Sequence, residues 1–119
     1  MADVATRDSV SDLIRGNIDA IILKTLSGAD SYGYEILKSV ATVSHGEYEM
    51  KEPSLYTSLK RLEMQGYVES YWGDETQGAR RKYYRMTVEG AQELTDATER
   101  WIHVRQIIDS LLLQDGSEQ

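Results

Sequence analysis

The sequence predicts a mainly α-helical fold that carries a small β-hairpin and ends in one long helix. Three observations lead there. Apolar residues recur at spacings of three and four through most of the chain. Residues 67–86 depart from that pattern: YVESYW and RKYYRM alternate with period two around a polar, glycine-containing segment. Finally, an apolar series from Leu94 to Leu111 repeats at 3, 4, 3, 4, 3.

Taken in order, residues 1–10 read as a flexible polar arm. From Asp12 to Leu26, the residues Leu13, Ile14, Ile18, Ile21, Ile22 and Leu26 form a helical stripe. Ala20 and Leu23 add apolar surface on its other sides, so this helix is expected to be covered from two directions. Gly28-Ala-Asp30 ends it, and Asp30 or Ser31 is placed to cap a second helix whose face is Ile36, Leu37, Val40 and Ala41. A third helix starts near Pro53, because a proline at a first helical position leaves no N–H without a partner. Leu55, Leu59 and Leu62 are its buried stripe, and Gly66 closes it. The two alternating runs then form a hairpin. Thr87 caps a last helix from Val88 to about Leu113, roughly 39 Å long.

The bulk numbers set the class. A chain of 119 residues, 40% hydrophobic and 28% charged, is one globular domain. No apolar run approaches the roughly 18 residues of a membrane span, and the acidic start MADVATRDSVSD is unlike a secretory leader. No membrane partner and a cytoplasmic location are therefore expected. The absence of cysteine leaves no disulfide framework.

A net charge of −7 argues against a nucleic-acid partner until it is divided along the chain. Residues 1–50 carry 4 basic and 8 acidic side chains, and 83–119 carry 3 basic and 7 acidic. Residues 51–82 carry 6 basic and 5 acidic, the only third that a phosphate backbone does not repel. With the three leucines of the third helix facing inward, Thr57, Lys60, Arg61 and Met64 face outward, and Ser54 and Tyr56 lie near its N-terminal end. Ser54, Thr57 and Ser58 are expected to read base edges, with Lys60 and Arg61 on phosphates. Taken alone, this helix could equally be amphipathic with a solvated face. Arg80, Arg81 and Lys82, with Gln77 nearby, place a cationic triplet on the hairpin, suited to a minor groove or flanking backbone. The plainer reading is charge that keeps an edge strand from aggregating.

The last helix carries Leu94, Ala97, Trp101, Val104, Ile108 and Leu111 as a seam for a second copy of the chain. Packing on its own body is the alternative. Trp101 either fills space or, near a two-fold axis beside small Ala97, leaves a slot for a flat aromatic ligand. Catalysis finds little support. The two histidines, His45 and His103, are far apart, no metal-ligand spacing occurs, and no glycine-rich phosphate loop is present, so neither enzyme activity nor a cofactor is expected.

Three segments carry a family resemblance: Ser31-Tyr-Gly-Tyr-Glu-Ile36, Ser54-Leu-Tyr-Thr-Ser-Leu-Lys-Arg-Leu-Glu63 and Gly78-Ala-Arg-Arg-Lys-Tyr-Tyr-Arg-Met-Thr87. Over nearly its whole length the chain resembles PadR-type bacterial transcriptional regulators. Tyr71-Trp-Gly-Asp-Glu75 and Trp101 resemble the short subset that includes the lactococcal multidrug-resistance repressor. The resemblance implies a winged helix-turn-helix over 11–87, a dimerisation helix over 88–114 and a disordered tail at 115–119. It also implies a nucleoid-associated homodimeric repressor of a transporter gene or its own, bound to an inverted-repeat operator in double-stranded DNA. Its DNA surface would comprise Ser31, Tyr32, Lys51, Ser54, Tyr56, Thr57, Ser58, Lys60, Arg61, Gln77, Arg80, Arg81 and Lys82. A slot for planar aromatic molecules would be lined by Leu13, Asn17, Ala20 and Lys24, facing Leu94, Ala97, Thr98, Trp101 and Arg105. Thr98 stands where an aromatic wall is expected and Arg105 where an acid is, which disfavours cationic ligands. A repressor without an effector and a dimeric protein-interaction adaptor are the alternatives.

Overall fold

The computed structural model of the chain describes residues 4–73 and 80–114. Among these described residues, five α-helices and three short strands follow in the order α1 (Val4–Ile14), α2 (Ile18–Gly28), β1 (Ser31–Tyr32), α3 (Gly33–Val43), α4 (Glu52–Met64), β2 (Val68–Trp72), β3 (Lys82–Met86) and α5 (Val88–Leu112). The mainly helical class with a small sheet and a long closing helix is as the sequence predicts.

The first expected helix is two. A 3-10 turn at Arg15–Asn17 separates α1 from α2. Gly16 sits at its centre, and glycine is the poorest helix former after proline, so the apolar spacing carries across a break that propensity makes. Residues 4–10, expected to be a loose arm, are helical. The tail at 115–119 lies outside the described residues.

Neither Asp30 nor Ser31 caps α3. Its N-cap is extended Tyr32, with no side-chain cap. The Ser31 hydroxyl instead donates to the Glu35 carboxylate (2.9 Å), and Asp30 accepts from the Tyr71 hydroxyl (2.5 Å). Ser31 and Tyr32 form a strand that the sequence does not reveal, because two residues are too few to show alternation. They pair antiparallel with β3, Ser31 opposite Tyr84 and Tyr32 opposite Tyr83, giving a sheet of order β1-β3-β2. The expected hairpin is present, with Val68 opposite Met86 and Trp72 opposite Lys82.

The core lies between α2, α3, α4 and the inner face of the sheet. Ile22, Leu23, Leu26, Ile36, Val40, Leu55, Leu59, Leu62, Val68 and Tyr84 meet there, joined by Tyr48 and Met50 from the α3–α4 loop. Burying aliphatic side chains stabilises by roughly 1.5–3 kcal/mol each before the cost of ordering them. Thr87 caps α5 as expected, its hydroxyl accepting from the Gly90 N–H (3.0 Å) while donating to the Gly66 carbonyl (2.7 Å). Gly90 is required there, since a Cβ would overlap the Tyr67 carbonyl oxygen.

α5 packs on α2 only through its first half. From Thr98 onward every described residue is exposed, including Trp101, Val104, Ile108 and Leu111. The described chain measures 64 × 35 × 20 Å, with a radius of gyration of 17.0 Å. A compact chain of this length would have about 13–14 Å. The excess is the unsupported half of α5.

Candidate nucleic-acid interface

α4 presents its outward face as a band of hydroxyl, phenol and ammonium groups. Lys51 is the extended N-cap, with Glu52 and Pro53 opening the first turn. Tyr56 is 47% exposed, Thr57 and Lys60 are exposed, and Ser54 is half-buried. Gln65 and Gly66 end the helix: the Gly66 N–H donates to the Glu63 carbonyl (3.1 Å) and the Tyr67 N–H to that of Leu62 (2.9 Å), with Gly66 at φ +81°.

Two residues expected on this surface are turned away from it. Ser58 is 2% exposed and Ser31 is 5% exposed. Ser58 lies between Leu55 and Leu62 on the buried stripe, and its hydroxyl accepts from the Arg61 guanidinium (3.0 Å). A side chain so covered cannot reach a base edge. Arg61, expected on phosphate, makes a two-pronged ion pair to Asp19 of α2 (2.9 and 2.7 Å). The hydrogen bond that Arg61 donates to Asp19, more than the carboxylate's charge, raises the Arg61 pKa above its ordinary value. Arg61 thus braces α4 against α2 and lies toward α5.

At the other end of the sheet each member of the cationic triplet rests over an aromatic ring. Arg80 lies 5.3 Å from the Trp72 ring, Arg81 4.6 Å from Tyr32, and the Lys82 Nζ 5.9 Å from Tyr84. These rings belong to β2, β1 and β3. On the outer face Tyr83 packs edge-on to Tyr32 (5.4 Å) and parallel to Tyr71 (5.7 Å), with Arg85 5.0 Å over Tyr71. Arg85 also pairs with Glu69 (2.8 Å) and Asp30 (3.8 Å). The hydrogen bond to Asp30 is the main cause that raises the Tyr71 pKa. Gln77, expected near the triplet, lies outside the described residues. One dipeptide touches both the wing and α4: Tyr32 underlies Arg81, and a Cβ on Gly33 would overlap the Tyr56 hydroxyl.

A second feature lies between α1, α2 and α5. An open groove of about 800 Å³ is bordered by Leu13, Ile14, Asn17, Ala20, Ile21, Lys24, Leu94, Thr95, Ala97, Thr98, Glu99 and Trp101. All the slot residues expected from the sequence are present except Arg105. Glu99, which the sequence reading omits, also borders the groove. On the other side of Trp101 a second cleft of about 650 Å³ brings Arg100, Glu93, Arg61 and Asp19 together.

Residues 22–96 match the Transcriptional regulator PadR-like family. The chain belongs to this family. Uncharacterized protein X of Lysinibacillus sphaericus is 40% identical over 108 residues, covering 91% of this chain and 97% of its own length. Transcriptional regulator YqjI of Escherichia coli (strain K12) is 31% identical over 84 residues, which is 71% of this chain but 39% of YqjI. Among solved structures, a transcriptional regulator from Clostridium thermocellum is 43% identical with a TM-score of 0.80, covering 86% of this chain and 96% of its own. A PadR family transcription regulator from Clostridium difficile R20291 is 34% identical with a TM-score of 0.68, over 81% and 98%. As a PadR-family transcriptional regulator, the chain has a winged helix-turn-helix for its DNA-binding unit. In these terms α3 and α4 are the helix-turn-helix, and β2 and β3 the wing. No described helix is long and apolar enough to cross a membrane.

What the sequence reading misses at this PadR-type surface is mostly aromatic. The alternation of RKYYRM places Arg81, Tyr83 and Arg85 on one face, and that of YVESYW places Tyr71 with them. That signal is present in the sequence. The partnership of Tyr32 is not, because it depends on pairing with Tyr83, 51 positions away in the chain.

Proposed function

We propose that this PadR-family chain is a homodimeric repressor that docks two α4 helices in successive major grooves of an inverted repeat. The wing cations Arg80, Arg81 and Lys82 then lie along the flanking backbone. The observation that carries this reading is contiguity. Thr57 and Tyr56 on α4, the Tyr32–Gly33 step and Arg81 on the wing form one continuous surface in an otherwise acidic chain. Tyr56, Thr57, Ser54, Lys51 and Lys60 take the α4 side of that surface, and Arg61 takes the role of a brace.

The second copy is proposed to cover the exposed seam of α5, where Trp101, Val104 and Ile108 each remain about half exposed (44–45%). Two such seams packed together place the Trp101-lined grooves at the two-fold axis. A flat aromatic molecule stacked there changes the angle between the two α5 helices, and so the distance between the reading heads. It acts only if it binds the two geometries unequally. The groove's composition, apolar with Lys24 and Glu99 at its border, supports this reading and the kinship to the short multidrug-binding subset.

The test is footprinting on DNA upstream of the gene and of its neighbours. Two protected half-sites, about 10 base pairs or one turn apart centre to centre, are expected. Protection of single sites without symmetry would contradict the dimeric reading. Retained footprints in the presence of a broad panel of planar dyes, with no change in Trp101 emission, would leave a repressor without an effector.

A further inference from the structure

In the sheet order β1-β3-β2, the whole of β3 separates β2 from β1, two strand spacings or roughly 9–10 Å. One side chain of β2 nevertheless spans that gap. The Tyr71 hydroxyl donates to the Asp30 carboxylate (2.5 Å), and Asp30 directly precedes β1, which runs into α3. The contact is supported from β3. The Tyr71 ring stacks on Tyr83 (5.7 Å between centroids), and Arg85 lies over the Tyr71 ring while pairing with Asp30 (3.8 Å) and Glu69 (2.8 Å). The preceding residue grips the other helix. Ser70, whose side chain alternates to the opposite face, donates to the Glu63 carboxylate in the last turn of α4 (2.6 Å). Two consecutive residues of β2 thus hold the segment entering α3 and the end of α4, the two helices of the reading unit.

We propose that Tyr71 is a positioning residue of the DNA-docking surface, its hydroxyl fixing the direction of the wing relative to α3 and α4. The inference rests on the DNA-binding reading above and adds to it what holds the wing in place. β1 pairs with β3 only at Tyr83 and Tyr84, so the Trp72–Lys82 pair lies beyond its reach in a two-stranded ribbon. Such a ribbon has little stability of its own. A small rotation at its root grows toward the far end, whereas docking requires α4 and the wing to meet the duplex together. Without the Tyr71–Asp30 bond the wing has more orientations to give up on binding, and that cost falls on affinity. No cation is lost with the hydroxyl, so the docked protein displaces the same counterions and the salt dependence stays. Tyr71 carries more of this task than Ser70, because its bond is partly buried and that of Ser70 is open to competing water.

The experiment compares wild type with Tyr71→Phe, which deletes the hydroxyl but keeps the ring, on a labelled mixed-sequence duplex. The duplex is roughly 40 base pairs, about four helical turns, and binding is measured across a salt series. Tyr71→Phe is expected to weaken binding about three- to tenfold with the salt slope unchanged. In an Asp30→Ala background the same change should have no further effect, since the bond is already gone. This cycle cancels whatever the lost carboxylate does by itself. Trp72 follows Tyr71 on β2 and is exposed, so its emission reports the motion of the wing. With Trp101 replaced by phenylalanine in every sample, the fast component of the Trp72 anisotropy decay should grow in Tyr71→Phe. The positioning role is overturned if that decay is unchanged, or if Tyr71→Phe lowers the urea midpoint while the folded protein binds as before. It is also overturned if the loss persists undiminished in Asp30→Ala, or if the salt slope falls by about one unit or more, the mark of a lost phosphate contact. In each of these cases the DNA-binding reading stands. If replacing Arg80, Arg81 and Lys82 together by alanine leaves binding unchanged, the positioning role and the wing's contact with DNA fall together.

Discussion

At the scale of single residues, left-handed positions end the helices of the reading unit: His45 and Gly46 after α3, and Gly66 after α4. After α3, His45 sits at φ +56°, with its N–H donating to the Thr42 carbonyl (3.0 Å) and the Gly46 N–H to that of Ala41 (2.8 Å). After α4 the same arrangement uses Gly66. A side chain at positive φ costs roughly 1 kcal/mol, which glycine avoids. Gly66→Ala should therefore destabilise by about 1 kcal/mol, whereas His45→Gly should stabilise by up to about 1 kcal/mol; urea midpoints of the two variants check both signs. Tyrosine ionisation gives a second expectation. Burial raises the Tyr48 and Tyr84 hydroxyl pKa values above the ordinary 10.0. The folded state then holds protons that the unfolded chain releases, so stability is fully present below pH 10 and falls as pH rises through the raised values. Replacing both by phenylalanine should flatten the decline of the urea midpoint above pH 10. Ser58 marks how far spacing is legible. It is three residues from Leu55 and four from Leu62, so it was readable as buried, and its small hydroxyl disguises an inward position.

At the scale of elements, the proposed docking divides the work on DNA between hydrogen bonding by α4 and charge on the wing. Replacing Arg80, Arg81 and Lys82 together by alanine should lower the salt slope of binding by roughly two to three units, with a similar loss on any duplex. Thr57→Ala should leave the slope nearly unchanged and cost about 1–3 kcal/mol on a preferred site relative to a random one. Equal losses on both duplexes would remove Thr57 from base reading. The helices and the hairpin were legible because each buries one face and repeats its apolar residues at its own period. β1 was not legible, because two residues show no period and its place beside β3 is decided by long-range pairing. The split between α1 and α2 was hidden for another reason: the apolar spacing runs through Gly16 although the backbone there tightens into a 3-10 turn.

At the scale of the whole molecule, the unsupported half of α5 is the feature with the largest consequence. Burying two such seams is proposed to drive dimerisation, and each large apolar side chain covered contributes roughly 1.5–3 kcal/mol. Charged substitutions at Val104 and Ile108 together should convert a dimer to a monomer in sedimentation while leaving the far-UV helical signal of the core intact. If the chain already sediments as a monomer at micromolar concentration, the seam is not a dimer interface. Trp101 lines the grooves on both sides of α5, so its emission should report any planar molecule stacked there. Trp72 on the wing also emits and is exposed, which makes the difference between wild type and Trp101→Ala the quantity to measure.

By itself the sequence determined what local periodicity and residue chemistry can carry. That includes the helices from their apolar stripes, the hairpin from its alternation, the Thr87 cap, the Gly66 stop, and the concentration of cations in the middle third. Tertiary structure alone decided which of the polar residues at that surface face outward. It buried Ser31 and Ser58, committed Arg61 to Asp19, and set Arg81 over Tyr32. The physical reason is distance along the chain. A helical or strand period reports a residue's face relative to its neighbours, but a salt bridge across 42 residues or a ring contact across 49 exists only once the elements have packed.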